Sequence, residues 1–266
     1  MKKTLIILLL LSLNPMTYTY KLITTGAPKS GTRMLLKCVG DIIGNSKYNA
    51  VNGHILLTHR QLNQLNDQCQ ILAGHPIFND QNVAHVNQHK AKVFYIIRDP
   101  RDQIVSMAFW IYRNIHTRPE YKNKSFDEVL MELITQSSKI YGKSYKHDIV
   151  YNLKGITEFY NLWLGWKLDL NTYTTHFEKL VGPKGGGTEH EQLKEIENMF
   201  KHLEIEYTDQ DIQYIADNLF GSTQTFRGGQ IGDWKKHFKK EHINAFKKFG
   251  GQLLIDLGYE INLNWQ

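Results

Sequence analysis

The chain has 266 residues, 41% of them hydrophobic and 22% charged. That balance excludes a disordered, fibrous or disulfide-dense protein and is ample for a proper core. The 32 Lys and Arg against 26 Asp and Glu leave a formal charge of +6, a modest excess that suits a handler of anions without selecting among nucleotide, acidic saccharide, membrane surface and nucleic acid.

In chain order, Lys2 and Lys3 precede an apolar run over residues 5–11, which Asn14 and Pro15 end. A basic flank before an apolar run too short to span a bilayer predicts a secretory signal or short membrane-proximal anchor over residues 1–18. The alternative is an apolar extension packed on a cytoplasmic domain. Residues 21–25 are β-prone, 26–31 form a turn-rich loop, and 32–43 carry helical periodicity. The stretch 45–70 is polar and without a period. A brief strand at 71–73 ends at His75-Pro76, and 92–97 (KVFYII) has the pattern of a fully buried strand. A turn at Asp99-Pro100 leads into a helix over 101–115.

Helices are predicted over 126–137 and 149–166. In the second, Ile156, Phe159, Tyr160, Trp163 and Trp166 recur at helical spacing and predict a stripe packed on the core. A strand over 172–177, a glycine-rich turn at Gly185, Gly186 and Gly187, and helices over 189–203 and 209–219 follow. A polar loop over 221–233 then precedes an amphipathic helix over 241–257. Strands alternating with helices, with no repeat and no Pro/Ser-rich linker, predict one α/β domain over 19–266 with a central parallel sheet flanked by helices. Cys38 and Cys69 lack any CxxC spacing and are expected as small apolar core residues.

Three segments carry chemistry. Pro28-Lys29-Ser30-Gly31-Thr32-Arg33 lies between a predicted strand and a helix, where backbone N–H groups and the positive helix end face an anion. Lys29 adds a point charge, and Ser30 and Thr32 add hydroxyl donors. Because Lys29 precedes Gly31, the segment does not fit the nucleoside-triphosphatase loop, which ends Gly-Lys-Ser/Thr. Arg98 follows the apolar strand, at the carboxyl end where ligands bind in open α/β sheets, and its planar fork suits phosphate. Arg101 and Asp102 are expected as a capping or salt-bridge pair at the helix start. The third segment, Phe226-Arg227-Gly228-Gly229-Gln230-Ile231-Gly232-Asp233-Trp234-Lys235, joins an Arg to glycines that let backbone approach an anionic group.

Together, and in this order, these segments resemble the sulfotransferase family that uses PAPS (3'-phosphoadenosine-5'-phosphosulfate), over roughly residues 21–259. Pro28-Lys29-Ser30-Gly31-Thr32 resembles the family's 5'-phosphosulfate loop. Arg98 and Ser106, eight residues apart, resemble its 3'-phosphate pair. Arg227, Gly228 and Gly229 resemble its C-terminal nucleotide loop, and Phe177-Glu178-Lys179-Leu180 its Tyr-Glu-Asp-Leu segment. The resemblance implies a P-loop-like fold, PAPS as donor and no metal. It also implies His75 as general base and Lys29 as stabiliser of the leaving phosphate. The chain departs from the family at Ala73-Gly74, where Lys-Thr is common, and at Met34, where cytosolic members carry a Trp on adenine. Further departures are Phe177 for Tyr, Gly228 for Lys, and Lys239-Lys240 for the Thr-Val of the cytosolic dimer motif, so that dimer is not expected.

These departures keep open a second reading, a catalytically inactive relative that binds a phosphonucleotide or an anionic glycan. A P-loop nucleotide or sugar kinase is a third, and it lacks the required Gly-Lys-Ser/Thr order. His85 and His89 stand at i, i+4, a metal-binding spacing on a helix, without a third ligand in sequence; they are expected in solvent. The lysines at 235, 236, 239, 240, 247 and 248 are expected on a solvated face. The acceptor, a small molecule or glycan with a hydroxyl (or amine), would be bound by the loops 45–70 and 116–146. Nucleic acid is not an expected partner, and the oligomeric state is not encoded.

Overall fold

A computed structural model describes residues 20–45, 47–51, 56–66, 70–136, 140–143, 148–151, 153–221 and 226–266. The apolar run at 5–11, with the rest of the 1–18 segment, and Cys69 lie outside the described residues. In chain order the elements begin with β1 (Leu22–Thr25), α1 (Thr32–Ile42), β2 (Tyr48–Val51), α2 (His59–Asn63), β3 (Ile71–Gly74), α3 (Asp80–Gln88), β4 (Lys92–Ile97) and α4 (Pro100–Arg113). They continue with α5 (Phe126–Thr135), β5 (Ile140–Lys143), β6 (Asp148–Tyr151), α6 (Gly155–Leu164), β7 (Thr172–His176), α7 (Phe177–Leu180), α8 (Glu189–Leu203), α9 (Asp209–Leu219) and α10 (Lys240–Asp256).

Five of the strands form one parallel sheet in the order β2-β3-β1-β4-β7. Alternation along β4 explains why the sheet needs cover on both faces. Val93, Tyr95 and Ile97 enter one apolar cluster with the residues of α4, α5, α6 and α10. Phe94 and Ile96 enter the other, with α1, α8 and α9. Successive side chains of a strand point to opposite faces, so the KVFYII run feeds two cores at once. The chain starts at the middle strand, crosses to the edge at β2, returns to fill β3 between β2 and β1, and then adds β4 on the other side of β1. The loops after β1 and β4 therefore leave in opposite senses, and a crevice opens at the carboxyl ends of these strands.

The predicted order of elements holds, with three corrections. The polar stretch 45–70 contains strand β2 and the short helix α2, the latter started by a capping box in which Thr58 and Gln61 satisfy each other's backbone N–H. Residues 80–88, unassigned from periodicity, form α3. Only Asn82 and Val86 of that helix are buried, so the apolar signal was too thin, and Asn79 starts the helix by accepting from the Asn82 N–H. Residues 149–166 are not one helix. Residues 148–151 pair antiparallel with 140–143, and α6 begins only at Gly155, whose φ of 81° is a left-handed value that breaks any helix running through it.

The aromatic stripe of α6 is buried as expected, with Trp163 and Trp166 fully enclosed. Each indole also donates a hydrogen bond: Trp163 Nε1 to the His75 carbonyl at 3.2 Å and Trp166 Nε1 to the Pro76 carbonyl at 3.0 Å. Thr25 Oγ1 donates to that same Pro76 oxygen at 2.9 Å. The stripe therefore fixes the backbone that follows β3 as well as filling the core. Trp163→Phe keeps most of the apolar volume but leaves the His75 carbonyl without this donor. It is expected to lower stability by about 1–3 kcal/mol, read as a lower urea midpoint at unchanged slope.

Candidate functional site

The strands β3, β1 and β4 are neighbours, so the residues just beyond their carboxyl ends form one cluster. His75 follows β3, the loop Gly26–Gly31 follows β1, and Arg98 follows β4. Residues 226–232 join them, because Arg98 Nη2 donates to the Gln230 carbonyl at 3.1 Å. Sequence-distant segments thus meet at one edge of the sheet.

The β1–α1 loop is tightly held. At Gly26 a Cβ would lie 2.7 Å from the Ile96 carbonyl oxygen, and at Gly31, with φ of 102°, it would strike the Phe177 ring at 2.7 Å. Both positions thus need glycine, the second also for its backbone. Lys29 takes a φ of 73°, a left-handed conformation that a side chain disfavours and that persists where surroundings impose it. Two of those surroundings are the Ser30 N–H bonded to the Ala27 carbonyl at 3.1 Å and the Gln103 side-chain amide donating to the Pro28 carbonyl. Thr32 opens α1, and Ser30 is fully buried with an Oγ that has no hydrogen-bond partner among the described residues.

The cations of the site crowd one another. Burial, and then the charges of Arg113, Arg98 and Arg227, hold Lys29 down to a pKa of about 8. Arg98 is 6% exposed and its guanidinium lies 4.2 Å above the Phe177 ring, a cation–π contact in a desolvated place. Arg227 lies 4.2 Å over the Phe109 ring and pairs with Asp233 at 2.6 Å. Arg98 Nε and Arg227 Nε are both buried and lack a partner among the described residues. Buried donors are satisfied as a rule, so two orphaned guanidinium N–H groups, one orphaned hydroxyl and a depressed lysine describe a place built to receive an anion with several acceptor oxygens.

His75 is half-buried beside this cluster. Its Nδ1 lies 2.8 Å from the Gly26 carbonyl; a carbonyl only accepts, so Nδ1 carries the proton and Nε2 the lone pair. Burial lowers its pKa and outweighs the bond to Gly26, while Arg33 and Lys29 lower it further. The neutral imidazole is the form that takes up a proton.

Not every residue expected at the site converges there. Arg33 turns towards β2 and donates from Nη1 to Tyr48 Oη at 2.9 Å. Ser106 lies on α4 and is half-buried, with no hydrogen bond to Arg98 among the described residues. Gly228 has open space where a Cβ would stand, whereas at Gly229, with φ of 58°, a Cβ would meet the Phe226 ring at 2.7 Å. Met34 is 8% exposed and packs with Phe177 in the second core. His85 and His89 acquire a third imidazole, with His59 Nδ1 2.9 Å from His89 Nε2. Still, among the described residues no group of three or more such side chains is arranged to hold a metal.

Sequence reasoning assigned Asp102 to a cap or ion pair. Instead its two oxygens accept the Gly232 and Trp234 N–H groups, each at 2.8 Å, which ties the 226–234 segment to α4. Glu178 was seen only as part of a family segment. It is buried, accepts from the Asp99 N–H and the Tyr259 hydroxyl, each at 2.9 Å, and is pushed up to a pKa of about 7 by burial. The hydrogen bonds of Gln103, Trp163 and Trp166 were missed because nothing in their spacing marks a bond to a distant carbonyl.

Residues 20–151 match the family described as the sulfotransferase domain. Guinea pig (Cavia porcellus) 3-alpha-hydroxysteroid sulfotransferase is 29% identical over 177 residues, covering 60% of this chain and 54% of the relative. Human sulfotransferase 2A1 is 29% identical over 180 residues, covering 65% and 59%. The chain thus spans between half and two thirds of the length of these relatives. Mouse sulfotransferase SULT7A1, solved with PAP, superposes with a TM-score of 0.61 at 19% identity, covering 91% of this chain and 86% of that one. Retinol dehydratase, solved with androsterone and inactive cofactor PAP, gives 0.57 at 14%, covering 88% and 80%. At those identities the structural likeness establishes the fold.

The depressed lysine makes anion binding pH-dependent. Above pH 8 the free site holds Lys29 largely neutral, and a bound anion restores its proton. Affinity for inorganic sulfate is therefore expected to fall as pH rises through about 8. Calorimetry at pH 8.5 in two buffers of different ionisation enthalpy should show proton uptake on binding, and Lys29→Met should abolish that uptake.

Proposed function

We propose, from the match of residues 20–151 to the sulfotransferase domain and from the sulfotransferase relatives, that the chain transfers a sulfuryl group from PAPS to a hydroxyl group of a small-molecule acceptor. The observation that carries this reading is the crowding of Lys29, Arg98 and Arg227 at one sheet edge, with buried donors left unsatisfied in Ser30, Arg98 and Arg227. Three crowded cations, of which only Arg227 has a carboxylate partner among the described residues, suit a donor that bears a phosphosulfate at one end and a phosphate at the other. The β1–α1 loop, residues 28–32, would hold the 5' end. Arg98 would hold the 3'-phosphate with Arg227 and the backbone of Gly228 and Gly229, and Ser106 would join them. PAP in the complex of the mouse relative supports this choice of donor.

The chemistry resembles phosphoryl transfer, in which positioning and charge stabilisation do most of the work. The acceptor oxygen attacks sulfur in line, and its proton passes to His75 Nε2. The bond from sulfur to the bridging oxygen breaks, and that oxygen leaves as part of the 5'-phosphate of PAP. Lys29 neutralises the charge growing on this leaving group. The Gly26 carbonyl fixes the tautomer of His75, and Trp163 and Trp166 fix the backbone that carries it. No step calls for a metal.

A small-molecule hydroxyl acceptor is supported by the names of similar proteins: one relative is named for hydroxysteroids, and retinol dehydratase was solved with androsterone and with retinol. A basic flank before an apolar run at residues 1–18 supports delivery to the secretory pathway or to a membrane, where a lumen supplied with PAPS would sustain the reaction.

Lys29→Ala and Arg98→Ala are each expected to weaken PAP binding by about a hundredfold, the scale set by losing one charge-assisted contact of about 1.5–3 kcal/mol from a dry site. His75→Ala should leave PAP affinity within about twofold while removing turnover, a loss of about 10²–10⁴ for a general base. Calorimetry with PAP and sulfate transfer to a hydroxysteroid acceptor read the two effects separately. Unchanged PAP affinity in both charge variants, or normal turnover of the His75 variant, would overturn the assignment.

A further inference from the structure

The last residues of the chain converge on the two turns that carry Arg98 and Arg227. The Arg101 guanidinium donates from Nε and Nη2 to the Asp99 carboxylate at 3.0 and 2.8 Å, and from Nη1 to Glu260 Oε1 at 2.5 Å. Two indoles lie against it, with Trp234 at 4.2 Å and Trp265 at 4.7 Å from the guanidinium carbon to each ring centre, and the two rings meet edge-on. The Tyr259 hydroxyl donates to Glu178 Oε2 at 2.9 Å, and Glu178 Oε1 accepts the Asp99 N–H at 2.9 Å. Asp99 is the residue after Arg98, and Trp234 ends the segment that begins at Arg227.

Each strand of this network reaches an anion-site turn by a different route. Tyr259 reaches the Asp99 backbone through Glu178, and Glu260 reaches the Asp99 side chain through Arg101. Trp265 meets Trp234 edge-on with ring centres 5.6 Å apart, and the Trp234 N–H is bound by Asp102 at 2.8 Å. Arg101 is 3% exposed and Trp265 is 8% exposed. Charges and hydrogen bonds in such a dry place hold geometry firmly because the alternative arrangements leave them unpaired.

We propose that Tyr259, Glu260 and Trp265 form a C-terminal clasp whose task is to position Arg98, and with it the Arg227 turn, for the 3'-phosphate of the donor. Among the described residues none of the three has a hydrogen bond, ion pair or ring contact to Lys29, Arg98 or Arg227, so they are positioning residues that act through Asp99, Arg101 and Glu178. The inference rests on the donor reading above and extends it to a part of the chain remote from the β1–α1 loop. It separates the two ends of the nucleotide: the clasp governs the grip on the 3'-phosphate and leaves the grip on the 5' end untouched.

The test compares PAP with AMP, which has the 5'-phosphate and lacks the 3'-phosphate, on the full chain. Glu260→Gln keeps the size of the side chain and removes its charge, and Tyr259→Phe removes one hydroxyl. For each variant, calorimetry is expected to show PAP affinity falling about tenfold, a size consistent with misplacement of a binding group by less than about 1 Å. AMP affinity should stay within about twofold of the unaltered chain. Glu260→Asp, which restores the charge, should recover part of the PAP affinity. PAP affinity unchanged in both variants, or PAP and AMP affinities falling together, would overturn the clasp while leaving the donor reading intact. Absence of PAP binding by the unaltered chain defeats the donor reading itself.

Discussion

Like charges do not gather in a protein unless something holds them there, and the crevice at the carboxyl ends of β1 and β4 gathers Lys29, Arg98 and Arg227 with, among the described residues, a carboxylate partner for Arg227 alone. Asp233 pairs with Arg227, and Gln230 offers Arg98 a carbonyl, but Lys29 is left to be lowered by its neighbours and by burial. Mutual repulsion in a low-dielectric crevice opposes folding, and the rest of the molecule is arranged to withstand it. Two apolar cores, one on each face of the sheet, supply the rigidity.

The restraint is applied through backbone and aromatic faces. Gln103, Asp102, Trp163, Trp166 and Glu178 all hold main-chain carbonyl or N–H groups of the loops around the site. Phe177 and Phe109 lie beneath the Arg98 and Arg227 guanidinium groups. An aromatic face attracts a cation without neutralising it, so Arg98, which has no carboxylate partner among the described residues, keeps its charge for an incoming anion. The exchange of Tyr for Phe at 177, which looked like a loss from the sequence, leaves this platform whole.

The fold was legible because β4 is so apolar and because strands and helices alternate along the chain. The cationic residues of the site were legible too, since Lys29, Arg98 and Arg227 each stand in a turn between regular elements. What could not be read was the set of long-range bonds. Trp163 shows the periodicity of a core residue and is one, yet the bond from its indole N–H spans 88 positions. Asp102 has the place of a helix-start residue, but its partners lie 130 and 132 positions away. Arg33 stands in the right motif and is drawn off by Tyr48, on a strand hidden in a polar stretch. Local pattern records which face a residue takes, whereas partners across the sheet depend on how the turns are finally set.

The left-handed backbone of Lys29 has a consequence for how this protein can vary. Two demands meet at that position: the φ of 73° favours glycine or asparagine, and the site requires a positive charge. No genetically encoded residue satisfies both without strain. A drift to glycine relaxes the loop and empties the site of a positive charge, while a drift to arginine keeps the strain and enlarges the side chain. The position is therefore constrained in both directions, and variation in this site is left to the surrounding loops, with the strained lysine as their fixed point.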